Sequence, residues 1–177
     1  MPFTPLHMGP GILIKAILQG SFSLMVFGWA QIIMDIQPLI VIITGEGHLH
    51  GFSHTYIGAT IIAIIAALTG KYLSEFGLKV IGILEQQNTI KIKWLIVFVS
   101  SFIGTYSHVV LDSIMHGDVS PFYPLSQAND MFGLISITEL HHICVYSGVA
   151  GALVYYSVQY MMKKHNDAKS HAAQKRN

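Results

Sequence analysis

Three stretches of this chain are long and apolar enough to cross a membrane as α-helices, which takes about 20 residues each. They cover residues 56–77, 93–115 and 134–162. Hydrophobic residues make up 52% of the 177 residues and charged residues only 11%, and the mean hydropathy is +0.53. The sequence therefore predicts an all-α integral membrane helical bundle with at least three full spans.

The apolar region 11–44 is open to two interpretations. Gly20-Ser21-Phe22-Ser23 interrupts this region, and Pro38 interrupts it again. Either one helix crosses here as a fourth span, or two half-length helices fold back at 20–23 as an N-terminal re-entrant hairpin. We favour the hairpin, because two arms of about twelve residues, each rising about 18 Å, return His7 to the level of Asp35. Residues 1–162 then form one membrane-embedded domain, and 163–177 form a polar tail that is expected to fray.

Charged residues are segregated between the two ends of the predicted spans. Nine of the ten bases lie in the 70–93 connection or the C-terminal tail. The positive-inside rule places both segments, and with them the C-terminus, in the cytoplasm. The opposite ends carry most of the acids and histidines, namely Asp35, Glu46, Asp112, Asp118, Asp130, Glu139, His48, His50, His54, His108, His116, His141 and His142. The candidate ligands are thus expected on the extracytoplasmic side of a multi-pass membrane protein.

His108, Asp112 and His116 recur at four-residue intervals in YSHVVLDSIMH. On a helix this spacing forms one stripe about 12 Å long. Imidazole and carboxylate groups are costly inside a bilayer unless they bind an ion or each other, and both suit a divalent metal. We interpret His108 and Asp112 as metal ligands, whereas His116 could be a third ligand or an interfacial residue.

Other candidates lie near the same predicted face. Asp35 ends an apolar arm and precedes Ile36-Gln37-Pro38, a predicted helix stop. His54 lies at the start of a span in GEGHLHGFSHT, where Ser53 or His54 could instead cap the helix. His48 and His50 in this loop could contact substrate, donate a proton or have no role. Glu139 and His142 have the three-residue spacing of di-iron bundles, which is equally typical of a polar helix start.

Four short motifs occur in the order found in a known family: Thr4-Pro5-x-His7, Asp35, Gly51-Phe52-Ser53-His54-Thr55 and His108-x-x-Leu111-Asp112. With them the chain resembles the YdjM-type family (LexA-binding, inner-membrane-associated), a group regarded as membrane-bound metal-dependent hydrolases. The chain departs from this pattern at Gln37, where the family often has a second acid, and at His50, where it often has Arg. The resemblance implies an inner-membrane location.

The ligand order is also similar to that of the zinc-dependent phospholipase C and fungal zinc nuclease superfamily. That resemblance implies that Asp112 can bridge two ions and that the other ligands are His7, Asp35, His54 and His108.

Together, these features predict a metal-dependent hydrolase that acts on a phosphoester of a lipid or lipid-linked substrate. The expected cofactor is a divalent metal, one or two zinc ions, with the ligands His7, Asp35, His54, His108, Asp112, Glu139 and His142. Asp112, His50 and His116 are the candidate catalytic residues. A net charge of +1 gives no reason to expect a nucleic-acid partner. Two alternatives remain: a membrane di-iron oxidase or hydroxylase, and a metal-binding or metal-transport protein.

Overall fold

The computed structural model describes residues 5–81 and 91–174, with side chains up to residue 170. Thr4, part of the 70–93 connection and the last three residues lie outside the described residues. Within them the chain is helical and contains no strand, which confirms the all-α class. The α-helices are α1 (Met8–Leu18), α2 (Leu24–Met34), α3 (Ile36–Thr44), α4 (Tyr56–Val80), α5 (Trp94–Met115) and α6 (Ile137–Gln174).

Four segments of the described residues are long and apolar enough to cross a membrane. Three of them, Tyr56–Val80, Trp94–Met115 and Ile137–Ser170, correspond to the three predicted spans. The fourth is Leu24–Thr44, which combines α2 and α3. The protein is therefore a multi-pass membrane protein, and by length and composition a fourth span is available in Leu24–Thr44.

The N-terminal region follows the path of the predicted hairpin. Its arms, α1 and α2, have 11 residues each and are joined by a 3-10 turn at Gln19–Ser21. The Ser23 amide next to this turn donates a hydrogen bond to Ser100 Oγ of α5 at 2.8 Å. The hairpin returns His7 to the far end of α5, where its ring centroid is 4.8 Å from that of His108.

The helix interruption at Asp35 is shorter than predicted. Only Asp35 separates α2 from α3, and Pro38 is the third residue of the new helix. The predicted helix stop before Pro38 is observed, since α2 ends at Met34. A new helix begins at Ile36, which was not predicted, and it accommodates Pro38 because a proline in the first turn lacks only an amide that has no intrahelical acceptor. The break keeps the Asp35 side chain buried between two helices.

Small residues allow the helices to approach closely. A Cβ atom on Gly9 of α1 would collide with the carbonyl of Cys144 in α6, and one on Gly151 would collide with the backbone of Leu13. At the α2–α5 contact, a Cβ on Gly104 would lie 2.9 Å from Ala30 Cβ. Glycine at these positions thus permits the close helix contacts that are typical of membrane bundles.

The last helix begins and ends differently from the predicted span. Ser136 and Glu139 form a reciprocal cap at its start: Ser136 Oγ accepts from the Glu139 amide at 3.2 Å, and Glu139 Oε2 accepts from the Ser136 amide at 3.0 Å. At the other end α6 continues to Gln174. Residues 163–174 thus belong to the last helix.

Candidate metal centre

Four buried side chains converge at one end of the bundle and are called the inner centre: Asp35, His54, His108 and Asp112. One donor atom of each lies within 4.8 Å of the donor atoms of the other three. Asp35 lies between α2 and α3, His54 lies just before α4, and the other two belong to α5. The predicted convergence of these residues is therefore observed, and it joins three separate parts of the sequence.

The distances within the inner centre resemble the edges of a coordination shell. Asp112 Oδ2 lies 3.1 Å from His54 Nε2 and 3.2 Å from His108 Nε2. Asp35 Oδ1 lies 3.3 Å from His108 Nε2. Tetrahedral ligands bound at about 2.0–2.2 Å are separated by about 3.3–3.6 Å. These distances are short enough for hydrogen bonds, but the directions of His54 Nε2 and His108 Nε2 do not suit them. Neither of these two nitrogens has a hydrogen-bond partner.

Gln31 fixes the orientation of the His108 ring. Its amide nitrogen donates to the Gly104 carbonyl at 3.0 Å, so its oxygen must be the atom that faces His108 Nδ1 at 2.6 Å. His108 Nδ1 is therefore the protonated nitrogen. In the neutral ring, the lone pair of Nε2 then faces two carboxylates, an arrangement that a proton on Nε2 or a metal ion between the three groups stabilises.

His54 is held by its neighbours at the N-terminal end of α4. Ser53 Oγ pairs with His54 Nδ1 at 2.8 Å, which leaves Nε2 directed toward Asp112. Gln37 Oε1 accepts from the Ser53 amide at 3.0 Å and so ties this turn to α3. The helix cap is Thr55, whose hydroxyl accepts from the Gly58 amide at 2.9 Å, and not Ser53 or His54 as suggested by the sequence. Burial lowers the pKa of His54, so the ring is neutral at pH 7 and able to bind a metal.

His7 lies beside the inner centre, at the other oxygen of Asp112. The distance from His7 Nε2 to Asp112 Oδ1 is 3.6 Å. Both ring nitrogens of His7 are buried and have no hydrogen-bond partner. Burial, together with His108, lowers the pKa of His7 to about 4. His7 is thus a neutral fifth donor next to the four that converge.

A second set of three side chains, the outer group, lies next to the inner centre: His50, His116 and Asp118. Their donor atoms also lie within 4.8 Å of one another. The ring of His50 is stacked on that of His116 at 4.3 Å and contacts the ring of His54 edge-on at 5.0 Å. His50 Nδ1 pairs with Asp118 Oδ2 at 2.9 Å. The outer group is less buried than the inner centre, since Asp118 is exposed.

Three sequence-based expectations about the ligands need correction. The stripe of α5 ends at Asp112, because the helix ends at Met115 and His116 has extended backbone angles. Glu139 is not at the inner centre, since its carboxylate caps α6 through Ser136. His142 is exposed and its ring stacks on Tyr146, one turn further along α6.

Two cavities border the site. The first, about 420 Å³, lies among the loops that follow α3 and α5, and its lining includes Thr55, Ser120, Tyr123 and Gln127. The second, about 300 Å³, has an apolar wall of Pro38, Ile42 and Leu49 and also reaches Asp35. His50 and Asp118 line both cavities. The site is therefore accessible through a polar and a largely apolar compartment.

The donor set of the inner centre fits a divalent cation. With both imidazoles neutral, as metal ligands must be, the two ionised carboxylates leave a charge of −2, which a divalent ion would balance. All four residues are at most 5% exposed, so solvent does not balance this charge. Two imidazole nitrogens and two carboxylate oxygens are a ligand set that zinc accepts. This match rests on the chemistry of the donors and on the unpartnered ring nitrogens described above.

Sequence reasoning missed two supporting residues. Gln31 lies four residues before Asp35 in an otherwise apolar arm, and that spacing would have placed both on one helix face. Gln37 was read only as a missing carboxylate, although it braces the turn that carries His54. His141 is partly buried, and the inner centre and outer group contain neither His141 nor the exposed His48.

The fold and the site define a class: multi-pass helical membrane proteins with a buried His/Asp centre that could hold a metal ion. Within this class, the family model described as YdjM inner membrane protein matches residues 14–166. The chain belongs to this family, as its motifs predicted. The matched region contains the four residues of the inner centre and begins after His7. Searches among curated proteins and among solved structures found no significant match. The resemblance to zinc-dependent phospholipase C therefore stays a prediction.

Proposed function

We propose that this protein is a membrane-bound metal-dependent hydrolase, with zinc as its metal, that acts on a phosphoester of a lipid or lipid-linked substrate. The observation that carries the proposal is the geometry of His108. Gln31 turns the Nε2 lone pair of this ring toward the carboxylates of Asp35 and Asp112, at 3.3 Å and 3.2 Å. A divalent cation would relieve this arrangement and would be held by all four residues of the inner centre.

The chemistry that a bound divalent cation supplies is Lewis-acid activation of a water molecule and of a phosphoryl oxygen. The chain's own residues hold and shape the site. Gln31 and Ser53 orient the two imidazoles through their Nδ1 atoms. Asp112 directs one oxygen to the inner centre and the other to His7, so it is suited to bridge two positions.

The cavities favour an amphiphilic substrate. The compartment walled by Pro38, Ile42 and Leu49 suits a hydrocarbon chain, and Ile42 is also exposed on the lipid-accessible surface of α3. The compartment lined by Ser120, Tyr123 and Gln127 suits a polar head group. Because both compartments meet at His50 and Asp118, a phosphoester between chain and head group would lie next to the inner centre.

Hydrolysis of two chromogenic phosphodiesters tests the proposal. Protein purified in detergent through a tag without histidines is loaded with zinc and given bis(p-nitrophenyl) phosphate or dodecyl p-nitrophenyl phosphate. We expect release of p-nitrophenol from both, with a higher kcat/KM for the dodecyl ester. His108→Ala and Asp112→Asn should lower kcat at least 100-fold, since each removes a ligand. The matched control is His142→Ala, an exposed histidine outside the centre.

Failure of the zinc-loaded protein to cleave either ester, or equal activity in His108→Ala, would overturn the proposal. Iron as the metal of the purified protein, with oxygen-dependent chemistry, would favour the di-iron alternative. That alternative has lost its pair of Glu139 and His142, which lie outside the inner centre. Transport would need polar groups between His108 and the opposite membrane surface. In that part of α5 the buried polar side chains are uncharged, namely Ser100, Ser101 and Thr105.

A further inference from the structure

The outer group has the chemistry of a metal site in its own right. His50, His116 and Asp118 offer two imidazoles and one carboxylate, with donor atoms that lie within 4.8 Å of one another. His50 lies in the loop that follows α3, and Asp118 lies in the loop that follows α5. His116 is the C-terminal cap of α5. The hydrogen bond of 2.9 Å between His50 and Asp118 accounts for one ring nitrogen only.

The local structure holds the outer group in place. The Asn129 side-chain amide donates to the carbonyls of Ser113 at 2.9 Å and His116 at 3.0 Å. The His116 amide donates to the Asp112 carbonyl at 2.8 Å. These three bonds fix the backbone at His116 and leave its ring stacked on His50. The position of His116 is thus set by backbone contacts that do not depend on an ion.

The inner centre and the outer group differ in the number of donors. The inner centre supplies four, enough to complete a tetrahedral shell from protein alone. The outer group supplies three, the number found in catalytic zinc sites, where the fourth position is open to water or substrate. The side chain of Asp118 is 57% exposed, whereas that of Asp112 is 6% exposed. An open position is therefore expected at the outer group.

The cavities show what such a position would face. His50 and Asp118 line the polar cavity and the apolar cavity, and His116 lines the apolar one. A ligand in the polar compartment meets His50 and Asp118 and does not contact the inner centre, whose His54 and His108 are fully buried. The apolar compartment borders the whole outer group and also reaches Asp35. The outer group thus borders both compartments.

We propose that His50, His116 and Asp118 bind a second divalent cation, whose open coordination position takes a water molecule or a phosphoryl oxygen of the substrate. The cation site stands on the geometry of these residues, and only the part played by the substrate rests on the proposed function. The inner ion then serves chiefly to assemble the site, and the outer ion is the one that meets the substrate.

Metal stoichiometry tests the site directly. Protein purified in detergent through a tag without histidines is equilibrated with zinc, dialysed and measured by mass spectrometry of the metal. We expect His116→Ala and Asp118→Asn to bind one equivalent fewer than wild type, and His142→Ala to match wild type. In competition with a chromogenic chelator, the equivalent lost from these variants should be the weaker one, by at least tenfold. Asp118→Asn changes an exposed residue, so it is expected to keep the thermal midpoint of the wild type.

The outcomes separate this proposal from the hydrolase assignment. Equal zinc content in wild type, His116→Ala and Asp118→Asn would overturn the outer site and identify the three residues as a hydrogen-bonded cluster only. Loss of one equivalent in these variants, with no hydrolysis of either ester by wild type, would support the outer site and overturn the hydrolase. Loss of both the equivalent and the activity, while the inner equivalent remains, would support the outer ion as the one that meets the substrate.

Discussion

At the scale of single residues, the inner centre depends on side chains that would not themselves touch an ion. Gln31 accepts from His108 Nδ1, and it is held by the Gly104 carbonyl and by Ser107 Oγ at 3.3 Å. Such partners fix the tautomer of a metal-binding histidine and raise its basicity. The affinity for a metal should therefore respond to a substitution on α2, although the ligand in question is on α5.

Gln31→Leu is predicted to lower zinc affinity about 10- to 100-fold, because His108 loses the acceptor that directs its Nε2 lone pair inward. Competition with a chromogenic chelator measures the change. Ser107→Ala is the matched control, since it removes a contact of Gln31 without touching His108, and it should leave the affinity within about twofold. Unchanged affinity in Gln31→Leu would show that His108 orientation does not depend on this bond.

His7→Ala is predicted to lower zinc affinity or content much as His54→Ala does. His7 is buried, is neutral at pH 7 and lies 3.6 Å from Asp112, so its removal takes a donor from the shell. Metal analysis and chelator competition provide the measurement, with His142→Ala as the histidine control. Wild-type affinity in His7→Ala would mean that His7 only fills space beside Asp112.

Contacts within the site could be predicted from the sequence where the two residues are close together in the chain, but not where they are far apart. His108 and Asp112 could be paired from their spacing alone, because a helix places residues four apart on one face. Gln31 and Asp118 act on residues 77 and 68 positions away, and no local spacing reports such contacts. Glu139 and His142 have the three-residue spacing of a ligand pair. Ser136 and Glu139 have the three-residue spacing of a capping box, and in the structure Glu139 forms that cap.

At the scale of secondary structure, α1 is placed by its contact with α6. Gly9 and Gly151 permit the two backbones to approach so closely that any side chain there would collide. The hairpin was predictable because a Gly/Ser-rich interruption divides the apolar region into two arms of equal length. The continuation of α2 into α3 was not, because the sequence does not show whether a proline ends a helix or lies in its first turn.

Gly9→Ala is predicted to destabilise the protein by about 1–3 kcal/mol, since the added methyl group meets the Cys144 carbonyl and forces α1 away from α6. The thermal midpoint in detergent should fall, and zinc affinity should fall with it because α1 carries His7 to the site. Gly20→Ala is the control, as its added Cβ meets nothing within 4 Å. Equal midpoints for the two variants would show that the α1–α6 contact adapts at little cost.

At the scale of the whole molecule, charge segregation predicts the orientation in the membrane. The cavity at the hairpin turn is lined by Lys15, Lys91 and Lys93, at the opposite end of α5 from the inner centre. By the positive-inside rule this end is expected to face the cytoplasm. We propose that the inner centre and both substrate cavities face the extracytoplasmic side.

Cysteine labelling checks this orientation. In a Cys144→Ala background, Lys169→Cys on α6 should resist a membrane-impermeant thiol reagent in intact cells and react after permeabilisation. Leu125→Cys, which replaces a residue that is 90% exposed near the cavities, should react in intact cells. The reverse pattern would place the site in the cytoplasm and its substrate with it.

The position of the donors along the chain has a consequence for folding. The residues that converge come from before α1, between α2 and α3, before α4, and within α5. An ion held by them would act as a cross-link between segments that are remote in sequence, and one that an unfolded chain cannot form. At a free metal concentration 100 times its dissociation constant, such a cross-link adds about 2.7 kcal/mol to stability. Metal supply in the compartment where the protein is inserted would then help to decide how much of it reaches its folded state.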